Sequence, residues 1–192
     1  PLSLAILHCS FSKATFIHVV LASKNHIVHV TGTIVFSQKD EKKIILSSKK
    51  ATIINSANMS MGINILQQVI NKAASLFDET FEIEILETHH KHKIDAPSGT
   101  ALMLGQSIAS GKKKKLDQIK IVSKTGSRKK TQNGKITFNS CRIGNVVGEH
   151  KAIFSSTDEV IELSHEALDR RRFETGEIQA AKWGSNKKAG IY

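Results

Sequence analysis

Residues 51–88, "ATIINSANMSMGINILQQVINKAASLFDETFEIEILET", carry three hydrophobic patterns in succession. The first eight residues are nearly continuously apolar before Asn and Ser close the run, which fits a strand buried on both faces. Residues 60–76 repeat apolar positions at three and four, the period of a helix with one buried face. Residues 80–88 alternate apolar with acidic side chains, as a half-buried strand does. A fully buried strand, a helix and then a half-buried strand imply that the chain passes here from one kind of sheet to another.

Working outward, residues 14–25 and 41–50 have helical spacing, and residues 26–33 form a β-branched run that reaches Gly32. Strands alternating with helices predict a parallel sheet of the doubly wound kind. Downstream, residues 99–110 predict a helix, residues 134–167 several strands broken by Gly, Asn and Ser-Thr-Asp turns, and residues 173–185 a last helix. The expected architecture is α/β plus α+β: an incomplete Rossmann-type dinucleotide-binding region beside a mixed, mostly antiparallel substrate and tetramerisation domain. The expected boundaries are 1–60 for the first region, completed by 171–192, and 61–170 for the second. The run Lys112 to Lys115 reads as a solvated loop.

The 192 residues carry a formal charge of +11, which favours an anionic partner: nucleic acid, a phosphate-bearing cofactor or a small polycarboxylate. Nucleic acid is disfavoured, because no recognition motif or aromatic interleaving accompanies the charge. No apolar run has the length needed to cross a bilayer, and the two cysteines, Cys9 and Cys141, have neither disulfide-framework nor zinc-knuckle spacing. No membrane partner and a reducing cytoplasm are the expectations.

The chemistry concentrates in "ETHHKHKIDAPSGT", residues 87–100. A strand ending here delivers His89, His90, Lys91, His92 and Lys93 at its C-terminal end, where open α/β sheets commonly hold ligands. The Pro-Ser-Gly-Thr turn predicts a helix start, with Ser98 or Asp95 as the cap. A helix N-terminus binds carboxylate or phosphate, and Gly99 lets such a ligand approach closely. Histidine titrates near neutral pH, so His89 or His90 can exchange a proton while Lys93 holds a carboxylate or donates in turn. A metal site is the rival reading, but flanking lysines repel a cation and no carboxylate or thiolate stands beside the histidines at a familiar spacing, so no metal is expected. His18, His26, His29 and His165 read as structural or solvated.

The same stretch, extended to "ETHHKHKIDAPSGTAL", closely resembles the dihydrodipicolinate reductase family, also called 4-hydroxy-tetrahydrodipicolinate reductases, of the diaminopimelate route to lysine. Further resemblances lie in "VHVTGT" (28–33), "ANMSMGINIL" (57–66), "VVGEHKAIF" (146–154), "IELSHEALDRRRF" (161–173) and "AAKWGSNKKAGIY" (180–192), in the family's order and over nearly the whole chain. The resemblance implies reduction of 4-hydroxy-tetrahydrodipicolinate to tetrahydrodipicolinate by hydride from NADPH or NADH. It implies His89 as the acid/base histidine, Lys93 as proton donor, and His90, Gly99 and Thr100 as ligands of the substrate's carboxylates. Gly32, Thr33 and Ile34, with Ala57, Asn58, Met59 and Ser60, match the family's cofactor-contacting segments. A homotetramer is implied as well.

The chain also departs from the family. It contains no G-x-x-G-x-x-G or G-x-G-x-x-G turn, with which dinucleotide folds seat the pyrophosphate. Ile34 and Val35 replace a threonine and a glycine of the family's usual pattern, and Met59 stands where Phe is usual. The expectation is an N-terminally truncated family member. The alternative is an inactive remnant serving only as an oligomerising or binding module.

Overall fold

A computed structural model describes residues 5–8, 12–32, 38–169 and 171–192. Along the chain run β1 (Ala5–His8), α1 (Ser12–Asn25), β2 (Val28–Thr31), α2 (Gln38–Ser47), β3 (Thr52–Asn55), α3 (Met61–Leu76) and β4 (Glu82–His89). There follow α4 (Gly99–Gly111), α5 (Leu116–Ile119), β5 (Lys120–Val122), β6 (Ile136–Arg142), β7 (Gly148–Ser155), β8 (Val160–Ala167), α6 (Arg171–Gly184) and β9 (Gly190–Ile191). They fall into two compact units, Pro1–Ser60 with Arg171–Tyr192, and Met61–Arg170.

In the first unit four parallel strands lie in the order β1-β2-β3-β9. Helices cover both faces: Val19 of α1 and Ile44 of α2 pack on Ile53, while Ala180 and Ala181 of α6 pack with Val28, Val30 and Ile54. Successive strand residues thus point into two different apolar layers, which is why residues 51–54 show no alternation. Helix α6 comes very close to its neighbours because two of its residues lack a side chain. A Cβ on Gly184 would stand 2.8 Å from Ile54 Cδ1, and one on Gly176 would stand 2.0 Å from the Met59 carbonyl oxygen. Strands β1 and β9, four and two residues long, are too short to show a period in the sequence. Backbone pairing supplies β9: its neighbour Tyr192 donates to Ile53 O and accepts from Asn55 N, both at 2.9 Å.

The second unit is a five-stranded sheet, β5-β6-β4-β7-β8, with α3 and α4 on one face. Antiparallel pairing was expected to predominate. It accounts for half of the ladders, β4–β7 and β7–β8, while β5–β6 and β6–β4 are parallel. The reason lies in the connections. Helices α4 and α5 and then residues 123–135 are long enough to carry the chain back to the same end of the sheet, whereas residues 156–159 make a tight hairpin in which Ser156 N donates to Glu159 O at 2.9 Å.

Ile83, Ile85, Ile136, Phe138, Ala152 and Phe154 of this sheet form a core with Ile70, Ala74, Leu104 and Ile108 of the two helices. On the opposite face the buried Glu84 carboxylate receives Arg128 at 2.9 and 2.5 Å and Asn139 at 2.6 Å. The lysine run is more than a solvated loop: Lys112 Nζ donates to the carbonyls of Phe77 (2.5 Å) and Asp78 (3.1 Å), just beyond the C-terminal end of α3. Lys114 pairs with Glu79 at 3.2 Å. A cation suits the negative end of a helix dipole.

Candidate active site

Side chains of β4 on the helix-covered face are apolar at Ile83 and Ile85 and then become Glu87 and His89, because alternate strand residues share a face. The strand register aligns Ser140, Glu87, His150 and His165 across β6, β4, β7 and β8, and sets Arg142 opposite His89. Where the apolar core ends, the sheet therefore carries polar rows on the same face.

Glu87 is the centre of this arrangement and is 1% exposed. Its Oε2 lies 2.8 Å from His89 Nδ1, an ion-pair distance, although the ring N–H is not aimed squarely at the oxygen. Its Oε1 accepts from Arg142 Nη2 at 2.9 Å and from the Ser98 amide at 3.0 Å. Burial pushes the Glu87 carboxyl up, but donors from His89, Ser98, Arg142 and Ser140 outweigh it and hold the group well below the usual carboxylate range. His150 is pushed down to about 3 by burial, then by the neighbouring His89, with Glu87 opposing and His165 and Lys93 adding to the depression. It is a neutral imidazole at neutral pH.

Helix α4 begins at Gly99, and its N-cap is Ser98, whose Oγ accepts from Ala101 N at 3.2 Å and lies 3.1 Å from His150 Nε2. Asp95 is not the cap; it is exposed and pairs with Lys93 Nζ at 2.7 Å. Residues 90–95 are fastened to the sheet by backbone and guanidinium contacts. Lys93 N donates to His90 O (3.0 Å) and Lys91 N to Gly144 O (3.1 Å). Arg142 Nη2 donates to Asp95 O (2.5 Å) and its Nε to Lys93 O (3.3 Å).

His89, Lys93 and the start of α4 at Gly99 and Thr100 are thus joined through Glu87, Arg142 and Ser98. His90 is half-buried, and its ring centroid is 6.4 Å from that of His92. Glu87, Arg142, His150 and Ser140 were not anticipated as site residues. The alternation of β7, whose buried positions are 148, 150, 152 and 154, was the available signal for His150, since it shares a face with Ala152 and Phe154.

Nor did the linear spacing reveal a carboxylate beside the histidines: tertiary structure brings Glu87, His89 and His150 together, with one ligand atom of each within 4.8 Å of the others. Arg142 already shares this carboxylate, so a cation there would meet an opposing guanidinium.

Of the other sequence candidates, Gly32 follows β2, and Ala57, Asn58, Met59 and Ser60 follow β3, the adjacent parallel strand. Asn58 Oδ1 accepts from Ser60 N at 2.8 Å, and Ser56 N donates to Thr31 O at 3.2 Å, tying the two strand ends together. Thr33 and Ile34 lie outside the described residues. No helix among the described residues is long and apolar enough to cross a membrane.

Comparison with known proteins agrees with this architecture. Residues 62–192 match the family described as "Dihydrodipicolinate reductase, C-terminus". The 4-hydroxy-tetrahydrodipicolinate reductase of Bartonella tribocorum is 42% identical over 188 residues, spanning 97% of this chain and 70% of the relative. That of Agrobacterium fabrum is 46% identical over 173 residues, 90% of this chain and 63% of the relative. A dipicolinate-bound dihydrodipicolinate reductase from Paenisporosarcina sp. TG-14 superposes over 98% of this chain and 71% of its own, with a TM-score of 0.73 at 23% identity, and so shares the fold. The chain belongs to the dihydrodipicolinate reductase family of pyridine-nucleotide-dependent oxidoreductases, whose members are named 4-hydroxy-tetrahydrodipicolinate reductase.

Proposed function

We propose that the Met61–Arg170 unit binds 4-hydroxy-tetrahydrodipicolinate for reduction to tetrahydrodipicolinate in the diaminopimelate route to lysine, with His89 and Lys93 as the acid/base and proton-donating groups. The observation that carries this reading is one buried carboxylate, Glu87, that lies against His89, accepts from the α4 N-terminus and, through Arg142, is linked to the backbone of Lys93. A dicarboxylate meets favourable charge here: Lys93 supplies an ammonium that it shares with Asp95, and Gly99 and Thr100 open the positive end of a helix, with His90 as the further proposed contact. The nicotinamide dinucleotide, NADPH or NADH, supplies the hydride when bound. The 4-hydroxyl leaves as water, which opens a conjugated imine; hydride addition to that imine leaves an electron pair on the ring system, which a proton from His89 or Lys93 neutralises.

Gly32 and residues 57–60 fit the nicotinamide end of that cofactor, being a glycine and a turn at adjacent C-terminal strand ends. Thr33 and Ile34 complete the proposed contact by sequence. The assembly is read as a cytoplasmic homotetramer; the exposed Val160 on the edge strand β8 favours association of the second unit.

Calorimetry with pyridine-2,6-dicarboxylate, a planar analogue of the substrate, tests the site. Removing a charge-assisted hydrogen bond costs about 1.5–3 kcal/mol, so Lys93→Ala and Thr100→Val should each weaken binding roughly tenfold or more. Unchanged affinity in the double variant would place the ligand elsewhere and overturn the reading. The proposal includes no metal, because Arg142 is bound to the carboxylate, and Lys93 lies in the field, of the only three-residue carboxylate–histidine cluster among the described residues. Stoichiometric zinc by elemental analysis, after purification without an affinity tag, would contradict this.

A further inference from the structure

Glu87 is nearly inaccessible, so it has no route to direct contact with a substrate, yet its carboxylate accepts from two separate segments, at Ser98 and Arg142, and lies 2.8 Å from His89 Nδ1. We propose that Glu87 is a positioning residue for both halves of the site: Oε2 fixes His89 with the proton on Nδ1, and Oε1 holds the Lys93 turn and the α4 N-terminus in register through Arg142 and Ser98. This rests on the proposed role of His89 in proton exchange.

The geometry distinguishes the two ring nitrogens. Nδ1 is buried against the carboxylate, which while ionised can accept but not donate, and Glu87 is held ionised by its other donors. A proton on Nδ1 leaves the Nε2 lone pair for chemistry. Nε2 faces Gly148, where even a methyl group would come within 3.1 Å of it and 3.3 Å of Cδ2; glycine keeps that edge of the imidazole uncovered. Two donors and a neighbouring imidazole on one carboxylate also make the arrangement collective. Arg142 reaches Glu87, Lys93 O and Asp95 O together, so a shift of Glu87 moves the lysine turn as well as the histidine.

A buried glutamate serving only as a counter-charge would stabilise the fold without dictating a tautomer, and nitrogen NMR separates the two roles. With uniformly 15N-labelled protein at about pH 9, above the ordinary imidazole range, His89, assigned by its loss in His89→Gln, should show a protonated Nδ1 and an unprotonated Nε2. Glu87→Gln should convert this into a mixture of tautomers and weaken pyridine-2,6-dicarboxylate binding about tenfold, or about 1.4 kcal/mol. Arg142→Lys should weaken binding by a similar factor while leaving the tautomer unchanged. A native spectrum with the proton on Nε2 overturns the proposal without any variant, and so does an unaltered Nδ1–H signal in folded Glu87→Gln. If unmodified protein fails to bind the dicarboxylate, the substrate reading falls, while the native tautomer still decides the role of Glu87.

Discussion

Phe138→Ala is expected to lower the stability of the Met61–Arg170 unit by about 3–5 kcal/mol, the range for removing a buried aromatic ring. Phe138 is 1% exposed, on β6 beside Ile85 of β4, and α4 descends onto its ring at Gly105. A Cβ on Gly105 would come 2.3 Å from Phe138 Cζ, so helix and ring are in contact because the glycine has no side chain. The vacated space borders Gly105, which has no side chain with which to refill it. For a chain of this size about 1 kcal/mol corresponds to roughly 2–4 °C in Tm, so a decrease on the order of 10 °C should appear by calorimetry. A change of only a degree or two would mean that this ring is not central to the core.

Acid should destabilise the unit through His150 before its carboxylates protonate. Above about pH 6.5, the ordinary imidazole value, folded and unfolded His150 are both neutral and the group makes no pH-dependent contribution. As pH falls below that value the unfolded chain takes up a proton, while folded His150 resists until about pH 3 because it is buried, near His89, and in the field of His165 and Lys93. The unfolded state then binds more protons, so stability decreases with falling pH, by at most ~1.4 kcal/mol per unit and roughly 2–3 kcal/mol by about pH 4.5. Below that, Glu87 adds loss in the same direction: its folded carboxyl stays ionised after the unfolded one is protonated. Urea midpoints between about pH 8 and pH 4.5 should slope for the native protein and be much flatter for His150→Gln, which retains a polar group for Ser98. Parallel slopes would show that His150 is not the source.

The contrast between these residues and those at the end of β4 marks how far the amino-acid order alone was informative. Residues 60–76 could be recognised as helix because amphipathic spacing is a local property, and residues 80–88 as strand for the same reason. The cation-rich turn and the helix start at Gly99 were readable too, since cap, turn and helix dipole depend on near neighbours. Gly32 and the 57–60 turn were proposed from the family resemblance, and His89, Lys93, His90, Gly99 and Thr100 from the resemblance together with residue order, these five within twelve positions. What residue order does not carry is lateral register. That β6 and β7 flank β4 on opposite sides, with Arg142 beside His89 and His150 beside Glu87, depends on crossover connections and on which side chains the α3–α4 layer buries. Glu87 illustrates the difference: by sequence it is one more acidic residue in an alternating strand, on the face shared with Ile83 and Ile85. It becomes the ionised centre of the site only because Ser98 from the start of α4, and Ser140 and Arg142 from β6, join His89 around it and outweigh the cost of its burial.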